Sequence, residues 1–172
     1  MSKATEILVS EHKNILRAID ALLDQCAKDE KAGTISANFY RSEIDFIKNY
    51  ADKFHHAKEE DILFIELNKD AVEMHCNPTE QMIYEHNLGR QYVKKLAAGL
   101  DENNQAKALA GARGYANLLK DHIYKEDNIL YPMADEALGE KIKDTMLAKF
   151  EKIGQEYVLV NKKYIKFINN LK

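Results

Sequence analysis

Apolar residues recur through most of the chain at alternating steps of four and three, the spacing of helices that bury one face. Leu8, His12, Ile15, Ile19, Leu22 and Cys26 mark the inward stripe of a first helix over residues 3–28. Gly33 breaks the pattern, and Ser36 or Asn38 is placed to cap a second helix running to about residue 68, with Ile44, Ile47, Ala51, His55, Glu59 and Ile62 turned inward. Pro78 opens a third helix, whose stripe is Met82, His86, Gly89, Val93, Leu96 and Leu100. A polar run at 101–105 makes the next turn. The fourth helix carries Tyr115, Leu119, His122, Glu126, Ile129, Leu130 and Met133 inward, with Pro132 placed to kink or close it. From Gly139 a last stripe, Ile142 through Leu171, predicts one long amphipathic helix. The order predicts an all-α fold: an antiparallel up-down four-helix bundle over residues 1–137, with an additional C-terminal helix over 138–172 packed on the bundle or on a partner.

Composition agrees with one helical domain. The chain has 172 residues, of which 45% are hydrophobic, enough for a sizeable core, and only two prolines and seven glycines to punctuate a sheet. Net charge is −3 with Lys and Glu interleaved, which gives no attraction to nucleic acid or to an anionic membrane. Cys26 and Cys76 are isolated in sequence, and residues 1–12 hold no apolar run for a signal peptide or membrane span, so a reducing cytoplasm is the expected location.

Six of the inward positions hold the wrong residues for a plain core: His12, His55, Glu59, His86, His122 and Glu126. His55 and Glu59, like His122 and Glu126, stand one helical turn apart on one face. In an antiparallel hairpin, residues equidistant from the turn lie level. The midpoint of His12 and His55 falls between Gly33 and Thr34, that of His86 and His122 at Asn104, and that of Glu59 and His86 between Val72 and Glu73, each within a turn or link. All six therefore meet at one level. The chain also repeats, with Glu-His at 11 and 85 and H-x-x-x-E at 55 and 122, which predicts a pseudo-twofold site. Buried imidazoles and carboxylates without partners cost several kcal/mol per ionised group, so they need a dense hydrogen-bond network or a metal. Mixed nitrogen and oxygen donors suit iron or manganese better than zinc, and an iron pair would keep positions open for oxygen, peroxide or nitric oxide. Gly89, one turn after His86, either leaves space for that ligand or eases helix packing.

The motifs EHKNI at His12, HHAKEEDILF at His55, EHNLGR at His86 and HIYKEDNILYP at His122 resemble those of hemerythrin-like proteins of the HHE cation-binding family, over residues 5–135. The resemblance implies that His12, His55, Glu59, His86, His122 and Glu126 hold two iron ions joined by an oxo or hydroxo bridge, with Glu59 and Glu126 spanning them. It implies a non-haem di-iron protein that binds O2, NO or peroxide for sensing or detoxification. The alternatives are an enzyme that decomposes peroxide or reduces NO, and an iron donor for damaged iron centres. The oxygen carriers of the family have a fifth histidine one turn from the third-helix ligand, where this chain has Met82 and Arg90. His56 lies about 100° round from His55, on a flank with Asn49, Asp52 and Lys53, and reaches the site only if the helix rotates. Tyr124 and Tyr131 are packing residues or hydrogen-bond donors beside the second motif, and His75 reads as a solvated loop residue. The last stripe has no histidine and is packing or a surface for a second copy or a protein partner.

Overall fold

The computed structural model describes residues 1–172 except Glu73, His75 and Lys172, so the reading of His75 lies outside the described residues. Ser2 accepts the backbone N–H of Thr5 and caps α1 (Lys3–Ala32). Gly33 ends it in the left-handed region, at φ 66°. The helix is thus one turn longer than its apolar stripe, because the glycine and not the stripe terminates it. Buried Asp29 then ties the turn, accepting the backbone N–H of Ser36 at 2.7 Å and its hydroxyl at 2.9 Å. That contact takes the Ser36 side chain away from capping the next helix.

Helix α2 covers residues 37–67. It is α-helical over Ala37–Phe46, π-helical over Ile47–His56 and again over Glu59–Leu63, and ends as α-helix over Phe64–Leu67. Asn77 accepts the N–H of Thr79 at 3.1 Å at the start of α3 (Thr79–Asp101). Asn104 accepts the N–H of Lys107 at 3.0 Å and caps α4, residues 105–137, which is α-helical over Gln105–Lys125, π-helical over Glu126–Leu130 and α-helical over Tyr131–Ala137. Pro132 follows the wide turn and does not close the helix, which continues to Ala137.

Contacts between neighbouring helices run up one and down the next. Asn14 meets Tyr50 and Cys26 meets Tyr40; Arg90 meets Asp52 and Asp101 meets Arg41. On the remaining two interfaces Leu96 lies against Gly111, Arg113 pairs with Glu30, and Asp135 accepts from Thr5. The four helices are therefore antiparallel and up-down. A Cβ on Gly111 would lie 2.5 Å from the Leu96 backbone nitrogen, so only glycine permits the close approach of α3 and α4.

The apolar core is split. One cluster, with Ile15, Leu22, Phe46, Leu96 and Leu119, fills one end of the bundle, and a second, with Leu8, Leu63, Met82 and Leu130, fills the other. The histidine and glutamate layer lies between them. The last apolar stripe forms two helices, α5 (Glu140–Glu156) and α6 (Val158–Asn169), rather than the single helix its periodicity predicts. They part at Tyr157, whose backbone (φ −97°, ψ 15°) leaves the α region; Gly154, a weak helix former, lies shortly before the break. Met146 and Phe150 of α5 join the second cluster, and Tyr164 and Ile168 of α6 join the first. One inward assignment fails: Ile129 is 48% exposed, whereas Ile62, at the same place in the other π turn, is buried in the cluster that Met146 and Phe150 of α5 join, so the covering helix and not the turn makes the difference. Among the described residues no helix is long and apolar enough to cross a membrane.

Candidate metal centre

Backbone hydrogen bonding explains how two helices turn donor atoms inward at one level. The N–H of Phe64 reaches back five residues to the carbonyl of Glu59, and that of Tyr131 does the same to Glu126. Each glutamate thus opens a π turn, a feature that widens a helix locally and recurs at functional sites. His12, His55, Glu59, His86, His122 and Glu126 are all 2% exposed or less, and the structure brings them together. The ε nitrogens of His12 and His55 are 2.9 Å apart, and so are those of His86 and His122.

Two groups of donors result, one from His12, His55, Glu59 and Glu126, the other from His56, His86 and His122. Within each, one donor atom per residue lies within 4.8 Å of the others. His56, which an ideal α-helix would leave on the wetter flank, is 6% exposed and stacks on His86 with ring centroids 3.8 Å apart. The π-helical stretch Ile47–His56 is the reason: with less rotation per residue, His55 and His56 both face inward.

Glu126 turns one oxygen to each group. Its Oε2 is 3.3 Å from His12 Nε2 and its Oε1 is 3.2 Å from His122 Nε2. Neither oxygen has a hydrogen-bond partner. Glu59 is different: Oε2 is unpartnered and 3.6 Å from both His55 and His86 Nε2, while Oε1 accepts the Tyr131 hydroxyl at 2.5 Å. Donors bound at about 2.1 Å to one ion and at right angles are about 3 Å apart, so these separations fit residues gathered around cations. Buried carboxylate oxygens without partners are otherwise costly.

The δ nitrogens are engaged by a ring of carboxylates that the periodicity did not reveal. His12 Nδ1 is 2.7 Å from Asp127, His55 Nδ1 2.9 Å from Glu11, His86 Nδ1 2.6 Å from Glu60 and His122 Nδ1 2.8 Å from Glu85. A δ N–H donated to a carboxylate fixes the tautomer and leaves the ε lone pair for a metal. Lys58 donates to Glu11 at 2.8 Å, Lys125 donates to Glu85, and Arg90 donates to Glu60 at 2.8 Å. The signal was in the repeat: a glutamate precedes His12 and His86, and Lys-Glu-acid recurs at 58–60 and 125–127. Tyr131 is buried against His12 and bonds Glu59, whereas Tyr124 is 66% exposed and takes no part.

Protons compete with a cation for these donors. Burial opposes charging His12 and His122, but Asp127 and Glu126 outweigh it at the first and Glu126 and Glu85 at the second, lifting them to about 9 and about 10. Burial holds His55 and His56 well below the usual histidine range, with the neighbouring imidazoles adding to the effect. Burial and the Glu126 charge push Glu59 up, while His122 and His12 overcome burial to hold Glu126 down. Metal must displace these protons.

A layer of inward ε nitrogens and unpartnered carboxylate oxygens halfway along a four-helix bundle defines a cation-binding helical protein. The match to the hemerythrin HHE cation binding domain family covers residues 3–134, so the chain belongs to that family. No curated protein and no solved structure matches it.

Proposed function

We propose that this chain is a cytoplasmic non-haem di-iron protein that binds a small oxidant or diatomic ligand, O2, NO or peroxide, for sensing or detoxification. His12 and His55 would hold one ion and His86 and His122 the other, with Glu59 and Glu126 placed to serve both. His56 is a further ligand on the second side, since it is buried, stacks on His86 and brings a ring nitrogen within 4.8 Å of donor atoms of His86 and His122. The observation that carries the reading is Glu126, a buried carboxylate with one free oxygen beside a histidine of each group. The protein's own contribution is to fix the ε nitrogens through four carboxylates and to exclude water by the apolar clusters on both sides. A bound iron pair would supply a redox-active Lewis acid for the exogenous ligand.

Purified protein is expected to carry about two irons per chain, and Glu126→Ala to lose most of the metal. One equivalent of zinc and no iron after iron-replete expression would sink the proposal. Mixing reduced protein with oxygen and then with peroxide, followed by absorption, separates binding from turnover. A stable, reversible adduct supports the binding protein. Rapid oxygen evolution from peroxide supports the enzyme reading, which the cavity reaching His56 and His86 favours.

A further inference from the structure

A cavity of about 420 Å³ lies between α2, α3 and α4, with His56 and His86 in its lining. A diatomic molecule needs little more than the ~30 Å³ of one water, whereas organic ligands occupy pockets of about 300–1,000 Å³. The chamber is oversized for the small ligand and sized for an organic one.

Its walls are mostly apolar, from Ile47, Val93, Leu119 and the ring of Tyr115. The Tyr115 hydroxyl is buried without a hydrogen-bond partner, a vacant donor among those walls. Gly89 also lines the space, and helix packing does not require it. A Cβ there would make ordinary contacts, 3.5 Å to Tyr115 Cε2 and 3.8 Å to Leu118 Cδ2, unlike the clash at Gly111. Alanine is the better helix former and would fit, so the missing side chain serves the cavity and not the helix contact.

The polar part of the lining is cationic. Lys48, Lys53 and Lys94 are exposed there, and none forms an ion pair among the described residues, although the chain as a whole has net charge −3. The two acids of the lining are already engaged, Asp52 by Arg90 and Glu85 by His122 and Lys125.

We propose that this cavity binds an amphipathic organic anion, its carboxylate at the lysine rim and its apolar body along the walls toward His56 and His86. The inference goes beyond the iron reading and holds whichever ion the centre carries. Octanoate titrated calorimetrically into the purified full chain, with whatever metal it carries, is the probe. It is expected to bind saturably at about one per chain, at least about tenfold more weakly in Gly89→Leu, and several-fold more weakly in a combined Lys48→Gln, Lys53→Gln, Lys94→Gln variant and at high salt. Octylamine, with the same tail and the opposite charge, is expected not to bind. The lysine variant changes exposed side chains only and keeps the test decisive if Gly89→Leu does not fold. Absent octanoate binding, equal binding of octylamine, or unchanged binding in the lysine variant overturns the proposal. Metal content of the same samples judges the iron reading separately: iron without octanoate binding sinks only the cavity proposal, and octanoate binding without iron sinks only the other.

Discussion

Lys58 and Lys125 hold the same place in the two repeats, each one residue before a glutamate of the centre and each bonded to the glutamate that orients a histidine. Yet Lys58 is fully buried, and the side chain of Lys125 is 35% exposed. The difference comes from what covers them. The ammonium of Lys58 sits 3.1 Å over the Phe54 ring, and Phe54 packs on Tyr157, at the junction of α5 and α6. Those two helices lie against α1 and α2, so one half of the centre is sealed and the other borders the cavity. The carboxylates respond in opposite senses. Burial pushes Glu11 up to about 7 despite Lys58, while hydrogen bonds from His122 and Lys125 overcome burial and bring Glu85 down to about 2. A repeated motif therefore fixes the ligand geometry, and the surrounding helices decide which half is dry.

The largest expected effect separates the two lysines. Lys58→Ala leaves Glu11 buried without its cation and should cost about 3–5 kcal/mol in urea unfolding, against less than about 1 kcal/mol for Lys125→Ala. Equal losses would erase the distinction. Next comes Glu43, buried on α2 without a hydrogen-bond partner, where α4 has exposed Ala110 at the corresponding place. Burial raises its carboxyl from 4.5 to about 8. The unfolded chain releases that proton first, so stability falls as pH rises from about 4.5 to about 8 and then levels. Glu43→Leu should remove this fall and add roughly 2–4 kcal/mol at pH 8, read by thermal or urea unfolding across that range. A variant with the parent's pH slope would assign the slope to another group.

Smaller effects test how the carboxylates hold the histidines. Glu11→Gln and Glu85→Gln should each weaken metal binding by about 10–100-fold in chelator competition, with the larger loss at Glu11, where water cannot replace the lost partner. Tyr131→Phe removes the hydrogen bond to Glu59 and makes that position match Phe64, its counterpart in the first repeat. About 1 kcal/mol of stability is the expected cost, and metal content should stay unchanged. Loss of one ion in that variant would give Tyr131 a part in holding metal.

Much of this was legible in the chain. The bundle follows from stripes such as Leu8 to Cys26, and the common level of the six inward residues from the distances of His12, His55, His86 and His122 to their turns. His56 was hidden because its position was read at α-helical pitch, while its helix is π-helical there. Glu11, Glu60, Glu85 and Asp127 lie beside the stripes, where a charge ordinarily means a solvated face. The recurrence of Glu-His at 11 and 85 shows symmetry without showing what the acids touch, and that of Lys-Glu-acid at 58–60 and 125–127 gains its meaning only once Glu60 and Asp127 are seen beside His86 and His12. Near Tyr157 the cue to a break is Gly154, which does not separate one long helix from two, since a single glycine is tolerated inside a helix.

The π turns after Glu59 and Glu126 make the centre a matter of chain length as well as of composition. Each is a helix holding one residue more than its pitch requires. Deleting a single residue within 60–63 or 127–130 would let that surplus relax into ordinary α-helix. The apolar faces before and after would keep their directions, while the glutamate carbonyl would lose its five-residue bond and Glu60 or Asp127, inside the turn, its place beside a histidine. A one-residue deletion is thus the shortest route by which such a chain can weaken its hold on metal and retain its bundle.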